Sequence, residues 1–125
     1  SDYFGRNVFI GASTMSREEV RRRYAIGVDT VMWGNDYPHP EGTWPHTVAK
    51  LKETFHDVPV ADAREMLGGT AARVYNFDVG ALDPIATRIG PTPEDLGQDP
   101  TLAVDPDEVK RGRWWKEGLV PPGSV

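Results

Sequence analysis

Cysteine is absent from the chain, so disulfides and thiolate metal sites are excluded and a cytoplasmic location is expected. No apolar run is long enough to cross a bilayer, and the first residues lack the basic and apolar blocks of a signal peptide. A membrane role is therefore not expected. An excess of positive charge is missing too. The formal net charge is -5, which leaves no basic footprint for nucleic acid. Apolar residues are sparse, at 38% with a mean hydropathy of -0.49, so part of the chain is expected to lie outside a packed core. Histidine occurs only as His39, His46 and His56. The chain opens Ser1-Asp2-Tyr3-Phe4 without Met, as expected of a piece of something longer.

What is present amounts to one ordinary domain of 125 residues, enough for a real core. Asn7-Val8-Phe9-Ile10 is a short apolar run, predicted as a buried strand that Gly11 stops. Ser16 and Glu19 form a capping box, which predicts a helix from Arg17 through Val20 and Tyr24 to about Ala25, with Gly27 as its stop. Arg21, Arg22 and Arg23 fall in its last turns, where cations suit the helix dipole and need no ligand. Val28 to Gly34 is the second predicted strand. Strand, helix and strand make a βαβ unit with a parallel, right-handed connection.

Pro45 near a first turn opens a further helix, with Val48, Leu51 and Phe55 as its buried stripe and Asp57-Val58-Pro59 as its break. A helix from Val60 to Leu67 is predicted to end at Gly68-Gly69, after which Thr70 caps a short helix over 71–75. Asp83-Pro84 is read as opening one or two more turns, closed by Gly90-Pro91. Residues 97–125 hold Pro100, Pro106, Pro121 and Pro122 with few aliphatics, the pattern of an irregular tail that wraps a body or stays mobile. Trp114-Trp115 within it is expected to be a packing anchor.

The chemistry gathers between residues 31 and 46. An apolar strand runs into Asn35, Asp36, Tyr37 and His39, and the C-terminal mouth of a parallel strand is where α/β proteins keep reactive groups. Asp36 there can ligate a divalent metal or act as a general base on bound water. His39 and His46 are candidate ligands or proton carriers, although no His-x-His or His-Glu-x-x-His motif supports them. The spacing leaves open that Asp36 only bonds loop amides and that His39 caps a turn. His46, after a proline at a helix start, reads as a surface residue, and Glu41 as solvated. Asn35 and Tyr37 are expected to point away from Asp36 by strand alternation, and Tyr37-Pro38 to be extended.

The run Val31-Met32-Trp33-Gly34-Asn35-Asp36-Tyr37-Pro38-His39-Pro40-Glu41-Gly42-Thr43-Trp44-Pro45 resembles the end of the last barrel strand in the amidohydrolase-related family. Those proteins are metal-dependent hydrolases and decarboxylases built on a TIM barrel. Asn35 stands where the family commonly has Ser. Met66-Leu67-Gly68-Gly69-Thr70-Ala71-Ala72-Arg73-Val74-Tyr75-Asn76-Phe77-Asp78 resembles its closing helix, with Thr70 in place of the usual Asn; both residues can cap. Leu82 to Gly90 is similar to a segment that follows the barrel in one subgroup. The likeness covers residues 3 to 96.

This resemblance implies an α/β fold that is the C-terminal part of a (β/α)8 TIM barrel. Residues 1–96 would hold the last two strands, their helices and the post-barrel helices, and 97–125 the irregular tail. It implies that Asp36 is catalytic, binds a divalent metal (commonly zinc) and relays a proton from the attacking water. His39 would face the substrate or support the metal ligands from behind. The family's early His-x-His pair and mid-barrel histidines have no counterpart here. Two strands cannot close a barrel and one Asp cannot hold zinc, so the chain alone is expected to be inactive. The complete enzyme would cleave a C–N or C–O bond, or decarboxylate without oxidation, in a small carbonyl or carboxylate compound. The remainder of the barrel, or a second copy, is the expected partner. The alternative is a non-catalytic α/β module whose open strand edges and apolar helix faces associate with a partner.

Overall fold

The computed structural model describes residue 3 and residues 6–112. It is a mixed α/β structure with one two-stranded sheet and helices packed on it. Strand β1, Ile10–Ser13, pairs in parallel with β2, Val31–Gly34, in the register Ile10↔Val31 to Ser13↔Gly34. The parallel pair agrees with the sequence. The position of β1 does not: Gly11 lies inside the strand and stops nothing.

The reason is visible in how the sheet is covered. Ile10, Ala12, Val31 and Trp33 share one face by strand alternation, and Ala12, Val31 and Trp33 belong to or pack against the core. Gly11, Ser13, Met32 and Gly34 share the other. A methyl group added at Gly11 or Gly34 would meet nothing within 4 Å. With no side chain required on that face, glycine is tolerated in mid-strand.

The crossover follows its capping signals. Helix α1, Arg17–Arg21, starts at a complete capping box: Glu19 N–H donates to Ser16 Oγ at 3.2 Å, and Ser16 N–H to Glu19 Oε2 at 2.7 Å. The Ser16 N–H, and after it the Ser16 hydroxyl, hold the Glu19 carboxyl below its usual range. The chain breaks step at Arg22 and resumes as α2, Arg23–Ile26. Gly27 then takes φ +112°, a left-handed conformation that a side chain would resist, and the chain turns into β2.

Arg23 does more than sit at a helix end. It is 7% exposed, and its Nε donates to Asp62 Oδ2 at 2.9 Å. The Tyr24 hydroxyl donates to the same oxygen, while the guanidinium sits 4.3 Å from the Tyr24 ring centroid. A buried guanidinium needs such a partner, and Asp62 supplies it from 39 residues away.

Helix α3, Thr47–Phe55, buries Leu51 and Phe55 as expected, but Val48 is 46% exposed at the rim of a groove. Helix α4, Val60–Arg64, runs without interruption into a π-helical turn, Glu65–Gly69, and then α5, Thr70–Val74. Gly68-Gly69 therefore does not end the helix, and Thr70 is not a cap. A side chain at Gly69 would come within 2.5 Å of Glu65 Oε2, so the glycine makes room for that carboxylate. Thr70 Oγ1 donates to Glu65 Oε1 at 3.1 Å, and Arg73 Nη1 reaches the same oxygen. This polar clasp accommodates the wider turn.

Helix α6, Val79–Ile89, begins at Asp78, whose Oδ1 accepts from Ala81 N–H at 3.1 Å. Pro84 lies inside it rather than at its start, because the Asp78 cap nucleates the helix earlier. Gly90 ends it as expected. Beyond Leu96, which is buried, the chain is anchored: Gln98 Nε2 donates to Val58 O at 2.9 Å. Helix α7, Pro106–Gly112, then packs on α2 where irregular chain was expected. Its last residue abuts Tyr24, where only glycine fits. Trp114-Trp115 lies outside the described residues. The core joins Met15, Val20, Tyr24, Val31, Phe55, Val58 and Met66 between the sheet and α1–α4. No helix among the described residues is long and apolar enough to cross a membrane.

Candidate metal and active site

Asp36 follows the last residue of β2 by two positions, at the C-terminal end of a parallel strand. Its φ of +60° is left-handed, a conformation that costs a non-glycine residue about 1–2 kcal/mol. Strand alternation ends at Gly34, so Asn35 and Tyr37 do not flank Asp36 as strand residues would. Instead Asn35 Oδ1 accepts the Tyr37 N–H at 3.1 Å, an Asx turn. The bonds Tyr37-Pro38 and Trp44-Pro45 are both cis. Tyr37 lies in a turn, where the sequence predicts extended chain.

Three backbone bonds close the loop: His39 N–H to Asp36 O at 2.8 Å, Gly42 N–H to His39 O at 2.9 Å, and Thr43 N–H to Asn35 O at 2.9 Å. Gly42 is needed for this closure, because a methyl group there would lie 2.7 Å from Asn35 O and 2.9 Å from Asp36 O. The loop is thus a built turn that fixes where its side chains begin.

Three of those side chains converge. His39 Nδ1 lies 2.9 Å from Asp36 Oδ1. One ligand atom each from Asp36, His39 and Glu41 lie within 4.8 Å of one another. Asp36 keeps 24% of its side chain exposed and His39 65%. If Nδ1 carries the shared proton, Nε2 is the imidazole's open lone pair, and the carboxylate orients the ring. Asp36 Oδ2 has no partner among the described residues.

Two carboxylate oxygens and an imidazole nitrogen are a donor set that suits a divalent cation of the zinc or manganese type. The residues present therefore fit such an ion. Glu41 was read from the sequence as solvated. It is exposed, yet the turn brings it to the cluster. Its position two residues beyond His39, across Pro40, is the signal that could have flagged it. His46 is exposed at the start of α3 and makes no bond to the cluster. His56 sits elsewhere, beside Arg17 at the α1–α3 contact.

A groove of about 680 Å³ opens between α3, α4 and α6, lined by Trp33, Leu51, Leu67 and Ala86 among others. None of Asp36, His39 and Glu41 reaches it. Trp33 is on the helix-covered face of β2, so the groove and the polar cluster are separate features.

The family model described as Amidohydrolase matches residues 12–77, from β1 through the Asp36 loop to the end of α5. The chain belongs to the amidohydrolase family. No curated protein and no solved structure matched it. At family level this makes the chain part of a hydrolase-type enzyme group that generally uses divalent metals. The amidohydrolase match spans the whole polar turn and stops before α6, so the groove's third wall lies outside it.

Proposed function

We propose that this amidohydrolase chain is the C-terminal part of a (β/α)8 barrel, with Asp36 as a metal ligand and proton relay. The observation that carries the reading is the place of Asp36. Its partly open carboxylate stands just past the C-terminal end of a parallel strand, with one oxygen held by His39 and the other without a partner among the described residues. Support also comes from the sheet, since parallel strands are normally covered on both faces. Here one face is under-covered, with Gly11 and Ser13 exposed and Met32 and Gly34 partly so. Further strands and the inner side of a barrel would cover it.

A divalent ion of the zinc type, when bound, supplies Lewis-acid polarisation and a more acidic water. Asp36 Oδ2, with Glu41 at the same cluster, would hold it together with histidines from the rest of the barrel. Asp36 would accept a proton from the attacking water, and His39 would keep the carboxylate in place or face the substrate. The substrate is a small carbonyl or carboxylate compound, and hydrolysis and non-oxidative decarboxylation both suit these groups. Alone, the chain lacks the other walls and should not turn over substrate. The test joins these residues to the upstream barrel and replaces Asp36 by Asn. Turnover should vanish, and near-normal activity in that variant would sink the assignment.

A further inference from the structure

We propose that two copies of this chain associate through helix α6, paired antiparallel about a two-fold axis that passes between Leu82 and Ile85. The pairing does not depend on the reading of Asp36 given above.

Helix α6 is amphipathic, but its apolar side is turned away from the body. At about 100° per residue, Leu82, Ile85 and Ile89 share one side, while Asp83, Ala86 and Thr87 lie about a third of a turn away. The second set lines the groove against α3 and α4. The aliphatic set is left 44%, 45% and 73% exposed, and α6 buries no residue. A surface helix normally turns its apolar stripe inward. Here small and polar side chains face the body instead.

The stripe extends past the start of the helix. Phe77 stands just before the Asp78 cap and Leu82 one turn beyond it, the two positions that pack together at helix starts. Tyr75 stacks on Phe77 with centroids 5.7 Å apart, and both rings are exposed. One apolar band therefore runs from Tyr75 to Ile89. Side chains of this size and exposure present about 600 Å² per copy, so two copies together bury about 1,200 Å², where stable interfaces begin.

The charges favour a second copy as the occupant. Asp78 stands at one end of α6 and Arg88 near the other, and Arg88 has no ion-pair partner among the described residues. Asp78 uses Oδ1 to cap Ala81 N–H. A two-fold interface joins the same patch on both subunits, and the antiparallel arrangement sets each Arg88 against the other copy's Asp78. Each aromatic end then meets an Ile89 end. A parallel pair would set like charges side by side. A lipid surface is disfavoured, because Arg88 is the helix's one basic residue where membrane-lying helices carry rows of them. The amidohydrolase match ends at residue 77, so α6 lies beyond the segment shared with the family.

The chain has no cysteine, so a single introduced thiol reports without interference. A short bis-maleimide should join Ile85→Cys, close to the axis, into a covalent dimer. Thr87→Cys, on the groove side, should cross-link at least about tenfold less. Sedimentation of the 125-residue chain should show a dimer that dissociates on dilution. Ile85→Asp should raise its Kd by about thirtyfold or more, the scale of a central interface residue, and Arg88→Glu by about fivefold. Should Ile85→Asp lose the native amide spectrum, the two cysteine variants decide the matter without adding a charge. A monomer at every concentration, equal cross-linking at the two positions, or an unchanged Kd in a folded Ile85→Asp would overturn the pairing. Monomers that co-sediment with phosphatidylglycerol vesicles would overturn it in favour of a lipid surface. In the barrel-complete enzyme, an Ile85→Cys thiol shielded from maleimide in a monomer would overturn it too, because the rest of the barrel would then cover the band.

Discussion

Asp36 and Asp62 are two aspartates of one small chain, and their surroundings are opposite. Asp62 is 7% exposed, and its Oδ2 takes hydrogen bonds from both Arg23 and Tyr24. Asp36 stays partly open, and among the described residues only its Oδ1 is engaged, by an exposed imidazole. The first carboxylate is buried, with one oxygen shared by two buried partners that would be stranded without it. The second is held in place by one bond and by its own backbone, with an oxygen to spare. A buried carboxylate that neutralises a buried guanidinium holds a fold together, and one that is partly open and merely oriented can do chemistry.

The largest effect that could break this contrast comes from exchanging the roles in substitution. In the barrel-complete enzyme, Asp36→Asn should lower turnover by at least about two orders of magnitude, the scale of a lost general base. Its urea midpoint should stay close to that of the parent. Asp62→Ala should do the reverse at the level of the fold, because Arg23 would be left buried without its counter-charge. Urea unfolding should show a loss of about 3–5 kcal/mol. A loss near zero would make Asp62 no more structural than Asp36.

A pH titration sharpens the same point. Burial, followed by the hydrogen bond to Asp62, pushes the Tyr24 phenol up to about 12 from 10.0. A raised value in the folded state means that the contribution is complete below pH 10 and is lost as pH climbs towards 12. Two units correspond to roughly 2–3 kcal/mol. Unfolding followed from pH 9 upwards should show that decline, and Tyr24→Phe should remove this part of it. Arg23 stays charged throughout this window, since its bonds to Asp62 and Tyr24 outweigh the burial that opposes its charge.

The smallest expected effect lies at the capping box of α1. Ser16→Ala removes the acceptor for Glu19 N–H and should cost about 1 kcal/mol, read from the urea midpoint. Turnover in the barrel-complete enzyme should be unchanged, because α1 lies on the helix side of the sheet, away from the polar turn. A change in activity would mean that the two regions are coupled.

Local signals were the readable ones. The box at Ser16 and Glu19, the left-handed Gly27, the parallel crossover and the Gly90 stop all depend on residues a few positions apart, and each stands where the sequence puts it. The misreadings share a different cause. Gly11 was taken as a stop although it is a strand residue on an under-covered face, and Gly68-Gly69 although the turn widens around Glu65. Pro84 was taken as a helix start although Asp78 caps the helix earlier. In each case a neighbour in space, or its absence, overruled the usual meaning of the residue.

The sequence by itself determined the family and the place of Asp36, because both reside in a contiguous run from Val31 to Pro45. It also marked His39 as the companion of Asp36, three positions away within one turn. Only the tertiary structure decided which charges are engaged and which are open. Arg23 and Asp62 are 39 residues apart and find each other in the interior, where an unpaired charge would be untenable. Glu41 joins Asp36 and His39 because Gly42 lets the loop fold back on Asn35 and Asp36. Local periodicity cannot express either fact, since burial and pairing are properties of contacts and not of spacing.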